Sequence, residues 1–262
     1  MLTHYVFECI EKNARIMTPK SIDIVIPVLN EERALPQSIP VLHAHLSANF
    51  SAYAWRILIA DNGSDDGTPE VSARLADEYP GVSPFRLEER GRGLALRTTW
   101  LESEADIVAY MDVDLSTDLA ALQPLVGAIA DGGYDIAIGS RLTKGARVEL
   151  RPLKREITSR GYSMLFRTMF FTGFRDAQCG FKAVSRRAVD ALVPLIRNNR
   201  WFFDTELLIL AEANGFKIRE IPVHWTDDPD TRVKIIGTAI EDVKGLLRLR
   251  FGGVPRTGAP RT

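Results

Sequence analysis

Asp106-Ile107-Val108-Ala109-Tyr110-Met111-Asp112-Val113-Asp114-Leu115-Ser116 reads as an apolar strand that stops in acid. Side-chain alternation along an extended chain carries Asp112 and Asp114 to one side, where both can face one divalent cation or one polar ligand beyond the strand's C-terminal edge. A pair of solvated acids before a helix starting near Ser116-Thr117-Asp118 is an equally open reading of these residues alone. Short acidic motifs match by chance, so the neighbouring segments have to decide.

Working outward, the same unit recurs. Ser21-Ile22-Asp23-Ile24-Val25-Ile26-Pro27-Val28-Leu29 is an apolar run that ends at Asn30-Glu31-Glu32, with a helical pattern from Ala34 to Phe50. Trp55-Arg56-Ile57-Leu58-Ile59-Ala60 runs into the polar turn Asp61-Asn62-Gly63-Ser64-Asp65-Asp66-Gly67-Thr68, before a helix from Pro69 to Tyr79. A short strand over Val82–Leu87 leads through Glu89-Arg90-Gly91-Arg92-Gly93 to a helix from Leu94 to Ser103. Tyr134–Arg141 is a further strand that leaves Arg141 at its C-terminal end. Strands alternating with helices of this length predict an α/β fold with a parallel sheet, helices on both faces, and ligands beyond the strands' C-terminal ends.

The composition supports one large domain. The chain has 262 residues, 45% hydrophobic and 26% charged, enough to bury a sizeable core. A formal charge of -1 gives no global attraction to nucleic acid, so an anionic ligand must be held by a local basic cluster. Cys9 and Cys179 lie far apart without metal-type spacing, which points to a reducing compartment and a cytoplasmic default. No run reaches the roughly 18–20 apolar residues of a membrane span. Residues 1–20 read as an accessory N-terminal segment, 21–234 as the domain, 235–251 as an amphipathic C-terminal helix and 252–262 as a disordered tail.

Together these loops resemble the nucleotide-sugar glycosyltransferases of family 2, which have the GT-A fold, a mostly parallel central sheet with helices on both faces. The resemblance is carried by Pro27-Val28-Leu29-Asn30-Glu31-Glu32, the Asp61–Thr68 turn and Asp112-Val113-Asp114. The second half has Gly139-Ser140-Arg141, Leu153-Lys154-Arg155, Asp176-Ala177-Gln178-Cys179-Gly180-Phe181-Lys182 and Arg200-Trp201-Phe202-Phe203-Asp204-Thr205-Glu206-Leu207-Leu208. It is similar to the dolichyl-phosphate and polyprenyl-phosphate sugar transferases, most of all to the dolichyl-phosphate β-glucosyltransferase type.

That resemblance implies an inverting transfer of a sugar from a nucleotide-diphosphate sugar, with UDP favoured, to a polyprenyl phosphate. Asp112 and Asp114 would hold Mg²⁺ or Mn²⁺ against the diphosphate. Pro27, Leu29, Asn30, Glu31, Asp61, Gly63, Arg92 and Val113 would contact the donor, with Asp61 accepting from the base or ribose. Arg141, Arg155 and Ser159 align with the acceptor-phosphate region, and arginine suits phosphate by making two parallel hydrogen bonds. Arg232 and Lys234 would close over the diphosphate. Ser116 stands where some mannosyl relatives carry a glutamine metal ligand, and the membrane-spanning segments of many relatives are missing from this sequence.

The residues add their own argument. A lipid phosphate is anionic near neutral pH, so it needs cations to hold it rather than a base to activate it. The stretch with Lys144, Arg147, Arg151, Lys154, Arg155 and Arg160 precedes a helix containing Tyr162, Met164, Leu165, Phe166, Met169, Phe170, Phe171 and Phe174, which is either a prenyl-facing surface or a core helix. Peripheral association with the cytoplasmic membrane surface is the expectation, anchored by an integral-membrane partner or a homo-oligomer. Two rivals stay open: a family 2 transferase with a soluble hydroxyl acceptor, and a non-catalytic sugar-nucleotide-binding subunit of a membrane complex. Cys179, without an evident base, reads as a packed thiol.

Overall fold

The computed structural model describes residues 20–150, 152–226 and 235–258. In chain order the elements are β1 (Ser21–Val28), α1 (Leu35–Asn49), β2 (Ala54–Asn62), α2 (Thr68–Glu78), β3 (Val82–Leu87), α3 (Arg92–Glu102), β4 (Ile107–Met111) and, after a 3₁₀ turn, α4 (Leu122–Ala130). There follow β5 (Ile136–Ser140), β6 (Arg147–Glu149), α5 (Leu153–Phe170), β7 (Phe181–Ser185), α6 (Arg186–Leu192), α7 (Phe203–Ala213), β8 (Ile218–Pro222), β9 (His224–Thr226) and α8 (Ile235–Gly252).

Seven strands form one sheet in the order β3-β2-β1-β4-β7-β5-β8, and β6 pairs with β9 in a second, two-stranded sheet. The large sheet is parallel except for β7, which runs antiparallel to both β4 and β5. Period-two alternation sorts β1 cleanly: Ile22, Ile24, Ile26 and Val28 join a core with α1, α2 and α4, while Val25 joins the opposite core with α3, α5, α6, α7 and α8. Asp23, on the second face, is 1% exposed and is neutralised by a bidentate Arg56 and by the Ser103 hydroxyl.

The antiparallel β7 is the departure from the expected unit. It places Gly180 beside the end of β4, because Met111 pairs with Phe181 and the Asp112 N–H donates to the Gly180 carbonyl at 3.2 Å. Helix α5 begins at Leu153, within the stretch read as a cationic loop, and ends at Phe170, so Phe171 and Phe174 lie beyond it. Only its Ser163 and Phe166 are fully buried, while Met164 is 70% and Ile157 62% exposed, so it is not a core helix.

Residues 253–258 correct the reading of the C-terminus as disordered from Gly252. Val254 packs on the core, and Asn214 accepts from the Thr257 N–H at 2.8 Å and donates to the Pro255 carbonyl at 3.0 Å. Residues 1–19, Arg151, the 227–234 segment with Arg232 and Lys234, and 259–262 lie outside the described residues.

Helix α8 lies close over the Phe202 ring, since a Cβ on Gly245 would come within 2.3–2.6 Å of three ring carbons. Gly245→Ala must push the helix off that ring. Overpacking of this kind costs about 1–3 kcal/mol, more than the ~1 kcal/mol that alanine adds to helix propensity. Urea unfolding is expected to show a lower midpoint for this variant at unchanged slope.

Candidate active site

The C-terminal edge of the large sheet gathers the polar loops. After β1 the chain turns at Asn30, whose φ of 59° is left-handed. The Asn30 N–H donates to the Ser64 hydroxyl at 2.9 Å, and its side-chain oxygen accepts from the Asp65 N–H at 3.0 Å. The Glu31 N–H donates to Thr68 at 2.8 Å, and Glu32 accepts from the Gly67 N–H at 2.9 Å. The two loops therefore form one wall, with half-buried Pro27 and Leu29 at its base. Gly63 has φ 84°, and a Cβ there would sit 3.0 Å from the Glu88 carbonyl oxygen, which explains the glycine.

Asp61 differs from its expected part. Its side chain is 3% exposed and already accepts from the Ser64 N–H at 2.9 Å and from Arg86 at 3.1 Å. These contacts tie Asp61 into the loop it opens.

The acidic pair stands where β4 ends. The Leu115 N–H closes a turn onto the Asp112 carbonyl at 3.3 Å, with Leu115 at φ 50°, a conformation that costs a non-glycine residue on the order of 1 kcal/mol or more. Asp114 accepts from the Ser116 N–H at 2.9 Å. Gly180 is what makes room: a Cβ there would be 1.8 Å from Asp112 Oδ2. Strand β9 fastens the far side of the loop, with Thr226 N–H donating to Ser116 O at 2.9 Å, Asp118 N–H to His224 O at 3.0 Å, and a bridge between Thr117 and Trp225.

Beneath Asp112 lies a buried charge network. Arg92 donates to Asp112 at 3.0 Å and to Asp204 at 2.7 Å, with its guanidinium over the rings of Tyr110 and Trp201. Lys182, fully buried, reaches Asp204 and the Tyr110 hydroxyl, both at 2.9 Å, and the Cys179 carbonyl at 2.6 Å, while Tyr110 also donates to Asp204. Burial alone would raise the Asp204 carboxyl, but Lys182 and Arg92 bring it below the usual carboxylate range. Arg92, expected to contact the donor, is engaged by both carboxylates, its side chain only 12% exposed.

The glycines flanking Arg92 are packing glycines. A Cβ on Gly91 would lie 2.5 Å from the Asn199 carbonyl oxygen, and one on Gly93 2.7 Å from Phe203 Cβ. They let α3 press against the segment leading into α7, and so bring Arg92 to both carboxylates.

Arg141 ends β5 at the same rim. Its guanidinium makes a bidentate pair with Asp176, both contacts at 2.9 Å, and sits over the Trp225 ring at 4.8 Å. Burial would lower its pKa, and Asp176 more than reverses that. Trp225 also lines the small hollow that contains Asp112, Asp114 and Gly180, so this residue borders both the acidic and the cationic side. Arg155 and Ser159 lie one turn apart on α5, in line with Tyr162, whose hydroxyl bonds Thr205 at 2.9 Å. The Cys179 thiol is fully buried and pushed up to about 12, chiefly by burial, so it stays protonated. Gly180 and Lys182 lie in a segment singled out by motif, but their roles, and those of Trp225 and Asp242, depend on strand pairing that no local pattern encodes.

With this geometry in place, the class of protein follows. The family profile described as Glycosyl transferase family 2 matches residues 23–193, and the chain belongs to that family. The chain is 39% identical over 216 residues to the glycosyltransferase AglD of Haloferax volcanii, an alignment covering 82% of this chain and 34% of AglD. The chain thus spans about a third of that relative. It is 29% identical to the dolichyl-phosphate beta-glucosyltransferase ALG5C of Trichomonas vaginalis, over 87% of this chain and 71% of that one. For the human dolichyl-phosphate beta-glucosyltransferase the identity is 28%, over 88% and 75%. Among solved structures, the Mycobacterium tuberculosis glucosyl-3-phosphoglycerate synthase in complex with Mn²⁺ and UDP-glucose superposes with a TM-score of 0.66 at 20% identity, covering 93% of this chain and 83% of that one. That likeness establishes the GT-A fold expected from the sequence.

Asp242 of α8 offers a pH test of the site's support. It is 3% exposed, accepts from Gln178 at 2.7 Å, and is raised to about 7, first by burial and then by Glu241 and Asp204 against the Gln178 bond. A carboxyl raised in the folded state contributes stability that is present below its unfolded value and lost as pH climbs to the folded one. Asp242→Asn keeps an acceptor for Gln178 without the charge. Between about pH 5 and about pH 8 the wild type should lose on the order of 2–3 kcal/mol relative to this variant in urea unfolding. Parallel pH profiles would contradict the assignment. Gly180→Ala should displace Asp112 and lower sugar transfer roughly 100-fold or more, as expected for misplaced catalytic groups.

Proposed function

We propose that this protein transfers a sugar from a nucleotide-diphosphate sugar, UDP-linked by preference, to a polyprenyl phosphate, with inversion at the anomeric carbon. The observation that carries the reading is the placement of Trp225, which lines the acidic hollow of Asp112 and Asp114 and carries the Arg141 guanidinium on its ring. The names of the Trichomonas and human relatives support the same acceptor.

The acidic pair fits a hard divalent cation, Mg²⁺ or Mn²⁺. Both residues are oxygen donors, and the site keeps Asp112 in place by leaving out a side chain at Gly180. When bound, the ion would offset diphosphate charge as the leaving group departs. The chain's own part is to hold Asp112 in place through Arg92, and to shape the donor wall from the Asn30–Glu32 and Asp61–Thr68 loops.

On the acceptor side, an oxygen of the lipid phosphate forms the new bond to the anomeric carbon as the bond to the diphosphate breaks. No base is needed for a phosphate that is already anionic. Arg141, Arg155 and Ser159 would hold and orient it, with Arg232 and Lys234 as further cations from outside the described residues. The rival with a hydroxyl acceptor calls for a carboxylate base. Asp176, Asp204 and Glu206 are all buried, with Asp176 paired to Arg141, Asp204 to Arg92 and Lys182, and Glu206 to Arg248 at 2.8 Å. Their commitment to those partners favours the phosphate acceptor.

Association at the cytoplasmic membrane surface completes the proposal, with residues 21–234 as the transferase domain and 235–251 as a peripheral helix. No helix among the described residues is long and apolar enough to cross a membrane. Helices α5 and α8 pack together, and each leaves apolar residues in the open, including Ile157 and Met164 on α5 and Ile240, Val243 and Leu247 on α8. An integral-membrane partner or a second copy of the chain would strengthen that attachment.

Incubating the protein and Mn²⁺ or Mg²⁺ with a panel of UDP- and GDP-sugars plus polyprenyl phosphate, then weighing the lipid by mass spectrometry, is expected to yield a prenyl-phosphate sugar. Arg155→Ala should cut that transfer about 10- to 100-fold, as loss of a charge-assisted phosphate contact would. No prenyl-linked sugar from any donor, or unaltered transfer by Arg155→Ala, would contradict the reading.

A further inference from the structure

A second basic site lies on another face of α5. Arg155, Ser159, Tyr162 and Phe166 recur at helical spacing along one stripe, while Arg160, Met164, Arg167 and Phe171 recur along a different one. With Thr172 and Arg175 from the following loop, the latter residues line an open hollow of about 540 Å³.

An ordinary solvated helix end would account for part of this. Arg167 suits the negative end of the α5 dipole, and Arg160 is paired with Glu156 at 2.5 Å. Three observations go further. The side chains of Arg167 and Arg175 make no ion pair among the described residues, although both face the same hollow. Thr172, which lines it, is 7% exposed, and its hydroxyl has no hydrogen-bond partner among the described residues.

Phe171 is the third. It holds a left-handed backbone, φ 57°, and is 87% exposed, so both its conformation and its exposure act against stability. Met164, beside it in the lining, is 70% exposed. Cations around a hollow, with an aromatic and a thioether standing out from its rim, match an amphiphile that carries phosphate at one end and hydrocarbon at the other.

We propose that this hollow binds the phosphate headgroup of an anionic bilayer phospholipid, with Phe171 and Met164 entering the acyl boundary beside it. The site is separate from the acceptor stripe at Arg155 and Ser159, so the protein would hold a structural lipid and its lipid acceptor on two faces of one helix. The inference deepens the membrane association proposed above, yet it requires no sugar transfer.

The test is vesicle co-sedimentation of the full chain without sugar nucleotide or polyprenyl phosphate, so its outcome is independent of the transferase reading. The protein should bind phosphatidylcholine vesicles containing phosphatidylglycerol at least about tenfold more tightly than phosphatidylcholine alone. Arg167→Gln with Arg175→Gln should weaken that binding about fivefold per charge, roughly 25-fold together, at an unchanged thermal midpoint. Phe171→Ser should weaken it further. Arg74→Gln with Lys217→Gln removes the same charge from other surfaces and should have little effect. Equal loss from the two charge pairs, no preference for anionic vesicles, or full displacement by inorganic phosphate at matched ionic strength would each overturn the proposal, the last by making free phosphate the ligand.

Discussion

Arg92 between Asp112 and Asp204 is the contact on which the site's arrangement depends. A strand that ends in acid, with a helix start that is also acidic beside it, would concentrate negative charge in a poorly solvated place. Arg92 and Lys182 supply two cations against Asp112 and Asp204, and the Tyr110 hydroxyl fills a remaining hydrogen-bonding position. Removing one member of such a buried set leaves a charge without compensation, at a cost of about 3–5 kcal/mol. The network therefore fixes where α3 and α7 stand relative to β4, and it holds Asp112 in position at the sheet edge. The glycines around Arg92 exist because the two segments have to approach this closely.

The cationic side is built on the same principle with different partners. Asp176 occupies the bidentate face of Arg141, and Trp225 carries the guanidinium on its ring. Those contacts place the charge at the sheet edge and hold it there, with the Arg141 side chain 11% exposed. Because Trp225 also touches the acidic hollow, the donor and acceptor sides share one rigid element. The small β6–β9 sheet thus joins them mechanically, by pairing β9 with the loop that follows the acids.

Much of the plan was readable from local pattern. The alternation of apolar runs with polar turns located β1 to β5 and α1 to α3 within a residue or two, since each is a continuous segment with its own period, whereas α4 starts at Leu122, after a 3₁₀ turn and beyond the start expected near Ser116–Asp118. The acidic pair and Arg141 were legible because they follow strands directly. β7 was missed as a strand: five residues with a lysine in second place, Lys182, do not read as an interior strand. That lysine is tolerated because Asp204, 22 positions later, and Tyr110, 72 positions earlier, meet it inside. Asp61 and Arg92 were read as donor contacts, and their pairing with Arg86 and with Asp204 was not legible, because those partners come from other elements.

The sequence by itself determined the α/β alternation, the sheet edge where ligands belong, and the residue types gathered there. Those are consequences of backbone period and of charge placed next to apolar runs, which are local properties. Tertiary structure alone decided which charges face a ligand and which face one another, because electrostatic pairing depends on separation through space. Arg141 and Asp176 are 35 positions apart and Arg92 and Asp204 are 112 apart, yet each pair lies within hydrogen-bonding distance once the sheet has closed around β7.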